Sequence, residues 1–137
     1  MASILRVNTL TDASSNNSVA LETVSQGSAK AWVNFNGTGT VAIQDSFNVS
    51  GLTDNAVGDY TVVIGNDMAN ANYSYQATSS NWETASTADS YIGVSGFHGG
   101  QATGSQRIRT YRERYDVSTP TFKDPLTTNL SIDGDLA

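Results

Sequence analysis

The stretch GSAKAWVNFNGTGTVAIQDSFNV, residues 27–49, alternates apolar and polar side chains on both sides of a Gly-rich turn. Ala29, Ala31, Val33 and Phe35 fall on one face of its first half, and Lys30, Trp32, Asn34 and Asn36 on the other. Beyond NGTGT, Val41, Ile43, Phe47 and Val49 share a face, opposed by Ala42, Gln44, Ser46 and Asn48. A period of two over this length is a strand signal, because successive side chains of an extended chain leave on opposite sides. Asn36-Gly37 through Gly39 supplies residues that accept the positive φ of a tight turn. The stretch predicts a half-buried antiparallel hairpin. Asp45 disturbs the pattern, since alternation puts it on the apolar face between Ile43 and Phe47. A buried carboxylate is costly unless hydrogen-bonded, so Asp45 is expected to mark a bulge or to accept a local backbone or Arg hydrogen bond.

The remainder of the chain extends the β pattern. TDNAVGD (53–59) is a turn cluster and is followed by YTVVI, where Tyr60, Val62 and Ile64 alternate with Thr61 and Val63. GNDMANA (65–71) turns again, and NYSYQATS places Tyr73, Tyr75 and Ala77 on one face. Residues 79–90 read as an exposed loop, YIGVSGF as a short strand weakened by its glycines, and HGGQATGS (98–105) as a flexible loop. RIRTYRERYDV (107–117) is the last strand of the series. No stretch offers a sustained helical stripe with caps. The expected fold is all-β, a small antiparallel sandwich or barrel-like domain over residues 28–117. Residues 1–27 read as an N-terminal arm that packs on another subunit or protein, with a first strand of the same domain as the alternative. Residues 118–137, which hold both prolines, read as an extended C-terminal arm. Arms at both ends suit an intertwined homo-oligomer.

Composition narrows the function classes. A chain of 137 residues suits one domain and can bury a core without staples. It contains no cysteine, which excludes disulfides and thiolate metal sites. The first ten residues carry one Arg and no long apolar run, so neither a signal peptide nor a membrane span is expected. Charged residues are only 15% of the chain and the net charge is −6, while Ser, Thr and Asn make up about a third. The surface is therefore polar mainly through hydroxyls and amides. An acidic, Lys-poor chain is a poor nucleic-acid partner, because neutralising phosphates takes many cations.

Few residues invite chemistry. His98 in FHGG is the only histidine and the only candidate base near neutral pH. A histidine between loop glycines is most often a plain surface residue, and no nucleophile-elbow motif accompanies it. Three copies meeting on a trimer axis could hold a metal, but one His per chain is slender ground. Most carboxylates, among them Asp12, Asp54, Asp59, Asp67 and Asp124, sit in turn sequences that suit Asp for structural reasons. Neither a catalytic centre nor a cofactor is expected. Four of the seven basic residues, Arg107, Arg109, Arg112 and Arg114, crowd the last strand. Arg107, Arg109 and Tyr111 share one of its faces, a pairing common at interfaces and able to grip an acidic polysaccharide. Trp32 on the polar face of the hairpin and Trp82 in a polar loop could stack on sugars or be buried between subunits. Trp32, Trp82, His98, Arg109 and Tyr111 are thus the candidate interface or glycan contacts. Five N-x-S/T triplets, at Asn16, Asn36, Asn48, Asn72 and Asn129, are what such a composition produces unaided.

Two segments carry a family resemblance. The opening MASILRVNTLTDASSNN is similar to the short N-terminal segment of many phage fibres, and residues 27–62 resemble a block recurring in their β-rich domains. Together they cover somewhat under half the chain, which resembles bacteriophage virion proteins, chiefly tail-fibre-like proteins of phages infecting marine bacteria and cyanobacteria. The resemblance implies a non-enzymatic structural component on the exterior of a virion, tail or capsid, assembling as a homotrimer and attaching to other virion proteins. The alternatives are a receptor-binding module for host surface polysaccharide and a capsid-decorating head fibre. No catalytic residues are carried over. A small hydrolase is the contrasting class, disfavoured by the single His and the missing motifs.

Overall fold

The computed structural model describes residues 4, 6–80, 90–114 and 121–137, with the backbone alone at 90–93, 95–99 and 113–114. The chain folds as an all-β sandwich of two antiparallel sheets, preceded by a small N-terminal unit. That unit is a hairpin of β1 (Thr9–Thr11) and β2 (Ser18–Ala20) running into one short helix, α1 (Leu21–Gln26). Asp12 organises the hairpin loop by accepting from the backbone amides of Ser14 and Asn16 and from the Asn17 side chain. Residues 9–20 join neither sheet of the sandwich among the described pairings.

The predicted hairpin is present as β3 (Ala31–Asn36) and β4 (Ala42–Phe47). The Asn36 side chain shapes its turn, donating to the Thr38 carbonyl at 2.7 Å and accepting from the Thr38 amide at 3.1 Å. Gly39 takes φ +64°, as a turn glycine can. Gly37 is required for space: a Cβ there would lie 2.5 Å from Tyr60 Oη and 2.9 Å from Pro125 Cδ.

β5 (Val49–Ala56) and β6 (Asp59–Ile64) form the next hairpin, in the second sheet, and β7 (Ser74–Ser79) returns to the first. β8 (Ser90–Ala102) and β9 (Ser105–Arg114) make a long hairpin on the second sheet, β10 (Thr121–Phe122) extends it, and β11 (Thr128–Asp133) closes the first. The four-stranded sheet has the order β4-β3-β11-β7. In the five-stranded sheet β9 pairs with β8 along one edge, and with β6 and then β10 along the other, with β5 outside β6. The inner faces meet in one core built from Ala31, Val33 and Phe35 of β3, Tyr60, Val62 and Ile64 of β6, Ile108 of β9, and Leu130 and Ile132 of β11. Phe35 and Tyr60 touch edge-to-face across the two sheets, centroids 5.0 Å apart.

Four expectations change. The segment read as a C-terminal arm contains β11, which lies between β3 and β7 and buries Leu130 and Ile132. Leu130 and Ile132 alternate into this core, whereas Phe122, Leu126 and Leu136 stay exposed. The HGGQATGS loop is largely strand: β8 runs through His98 to Ala102, and Thr103-Gly104 turns into β9. TDNAVGD is mostly strand as well, with only Val57-Gly58 turning. Phe47, predicted to be core, is 53% exposed. In the β3–β4 register Phe35 faces Ile43 while Asn34 faces Asp45, so Gln44 is an extra residue on β4. That bulge moves Asp45 and Phe47 to the outer face of the sheet. Asp45 then accepts from the Ser46 amide at 2.8 Å, in solvent.

Candidate functional site

Three surfaces carry the side chains that could meet a partner. The first is the outer face of the four-stranded sheet. Because Ala31, Val33 and Phe35 point inward, Trp32 and Asn34 point outward, and the register sets their neighbours. Phe47 of β4 lies directly opposite Trp32, which is 37% exposed. One rung along, Asp45, Asn34, Asn129 and Thr78 line up across all four strands. Asn34 Nδ2 donates to Asn129 Oδ1 at 2.6 Å and so fixes both amides. Lys30, two residues before Trp32, is buried and donates to the carbonyls of Ser25 and Ser28.

The second surface is the outer face of the five-stranded sheet. Ile108 points inward, so Arg107, Arg109 and Tyr111 point outward. Asp59 holds both arginines. Arg107 donates through Nε and Nη2 to the two carboxylate oxygens at 2.7 and 2.8 Å, and Arg109 Nε donates at 2.8 Å. The Arg107 guanidinium, and then Arg109, hold the Asp59 carboxyl down at about 2 against the opposing cost of burial. The Arg109 guanidinium also lies 5.2 Å from the centre of the Phe122 ring, on β10 beside Tyr111. Much of this strand's charge is therefore spent inside the chain.

The third surface is the N-terminal unit. Leu10, Leu21 and Val24 are each about 40% exposed there, and an open groove of about 310 Å³ runs along Leu10, Asp12, Asn17 and Val19. The unit is tied to the sandwich at its C-terminal end, where Gln26 donates to Asp135 and Lys30 to Ser25.

The candidate contacts do not form one site. Trp32 lies on one broad face of the sandwich, and Arg109 and Tyr111 on the opposite one. His98 lies in β8, but its side chain is outside the described residues, as is the whole of Trp82. Phe47, Asn34 and Asn129 join Trp32 without having been singled out. The available signal was Asp45, whose misfit announced that alternation fails before Phe47. Among the described residues no group of three or more His, Cys, Asp or Glu side chains could hold a metal, and no helix is long and apolar enough to cross a membrane. No protein-family model, curated protein or solved structure matches this chain significantly.

Proposed function

We propose that the chain is a non-enzymatic structural component of a bacteriophage particle, fibre-like, exterior and homotrimeric, that attaches to other virion proteins through its N-terminal unit. The resemblance of the opening residues and of 27–62 to phage fibre proteins supplies the particle. One observation of this chain carries the attachment role. Leu10, Leu21 and Val24 are held half-exposed on a hairpin and helix outside a sandwich that already has its own core. Apolar side chains on a small preformed unit are suited to burial against another chain. In the C-terminal segment Leu130 and Ile132 serve the core, while Phe122, Leu126 and Leu136 are also exposed but lie on or beside the sandwich rather than on a separate unit.

The test is sedimentation of the full chain at micromolar concentration. A trimer mass is expected, reduced to monomer in a Leu10→Asp/Val24→Asp variant whose sandwich still melts cooperatively. A wild-type chain that stays monomeric at that concentration removes the basis for a fibre-like assembly. A receptor-binding role is the second reading, favoured by the exposed Trp32 and Phe47, which stand opposite each other on the outer sheet face.

A further inference from the structure

We propose that the outer face of the four-stranded sheet is a binding site for a neutral polysaccharide, centred on Trp32 and Phe47. The inference rests on the non-enzymatic binding role above but not on attachment to a particle.

The first argument is the ring pair. Trp32 and Phe47 are directly opposed on neighbouring strands, which puts their Cβ atoms about 4.5–5.5 Å apart and makes one apolar strip. Both rings stay outside the core. A pyranose ring has an apolar face of C–H bonds and a rim of hydroxyls, so it fits an aromatic strip only where polar groups border it.

The second argument is that such a border exists. Asp45, Asn34, Asn129 and Thr78 form the adjoining rung. The Asn34–Asn129 bond uses one donor of Asn34 and the oxygen of Asn129, leaving Asn34 Oδ1 to accept and Asn129 Nδ2 to donate. A sugar hydroxyl does both, and neighbouring hydroxyls on one ring can engage such a pair together. The strands hold these groups in place before any ligand arrives, which lowers the ordering cost of binding.

The third argument is charge. Asp45 is anionic, and Lys30 is engaged below the surface. A polyanion would meet the Asp45 carboxylate, which makes no ion pair among the described residues, on a chain of net charge −6, at a net electrostatic cost. The ligand is therefore uncharged. The arginines of the opposite face do not alter this, because they lie across the thickness of the sandwich.

Affinity gel electrophoresis of the full chain in gels containing dextran, laminarin or yeast mannan tests the proposal, with alginate as the polyanion. Retardation by at least one neutral polymer is expected, weakened about tenfold or more in Trp32→Ala, a loss of roughly 1.4 kcal/mol. Asn129→Ala, which leaves both rings in place, is expected to weaken it too, and Arg109→Ala to leave it unchanged. Thermal melting of each variant separates lost binding from lost fold. No retardation by any neutral polymer, retardation by alginate alone, or loss in Arg109→Ala with retention in Trp32→Ala overturns the site. A fall in sedimentation mass of the ligand-free Trp32→Ala variant also overturns it, since the face would then be covered by another copy. Each outcome is independent of whether Leu10 and Val24 mediate assembly.

Discussion

Two phenylalanines on adjacent strands have opposite fates. Phe35 is fully buried against Tyr60, so Phe35→Ala is expected to destabilise by about 3–5 kcal/mol in urea denaturation. Phe47→Ala, at a side chain more than half exposed, is expected to cost under about 1 kcal/mol. Equal losses would return Phe47 to the core. Asp59 sets the acid limit of the second sheet. Its folded pKa of about 2 lies below its ordinary 3.8, so folding favours the ionised form. The stability it contributes is complete above about pH 4 and is lost as the pH falls toward 2, amounting to about 2 kcal/mol. Asp59→Asn should therefore lower stability at pH 7 and flatten the pH dependence between 4 and 2. An unchanged acid profile would mean that the ion pair with Arg107 contributes nothing.

At the scale of elements, the decisive positions are those where the chain leaves one sheet for the other. Asn48 is such a corner, between β4 and β5, with φ +52°. Its side chain donates to the carbonyls of Lys30 and Asn66 and accepts from the Asn66 amide at 2.7 Å. Asn48→Ala loses these bonds and strains the backbone, at about 2–4 kcal/mol, whereas Asn48→Gly keeps the conformation and should cost about 1 kcal/mol less. Equal midpoints for the two in urea would deny the corner its strain. The same residue shows why legibility stopped where it did. Local alternation suffices for β3 and β6, whose inward residues all sit in register with a partner. It failed after Gln44, because a bulge is defined by the partner strand and leaves no period of its own. Glycines made β8 look weak, yet β9 pairs with it over most of its length and supplies the backbone bonds that its own side chains do not secure. β11 looked like a tail because its partners, β3 and β7, lie far back in the chain. The outer-face site was half legible: Trp32 stands out in the sequence, but its neighbours Phe47 and Asn129 are brought by register alone. A chain ending at residue 127 would lack β11 and should show no cooperative melt. A true arm could be removed without that loss.

At the scale of the molecule, the sandwich and the N-terminal unit have different means of cohesion. The sandwich is closed by long-range pairing and a shared core. The hairpin is closed on itself, by Asp12 N donating to Asn17 O and Leu21 N to Asn8 O, and leaves its leucines half in water. The core that closes the sandwich and the half-exposed apolar side chains of the N-terminal unit thus lie in separate parts of the chain. If the unit joins three copies, the melting temperature of the full chain must rise with protein concentration, because only the folded state associates. Deleting residues 1–20 should abolish that concentration dependence and the trimer mass together. The truncated sandwich should then melt at the temperature the full chain approaches on extreme dilution, since its core residues are all retained. A truncated chain that still sediments as a trimer would move assembly to the sandwich faces, and a truncated chain that does not fold would make the hairpin part of the core. The pairing in the structure speaks against the second of these outcomes, because no strand of residues 9–20 enters a sheet of the sandwich.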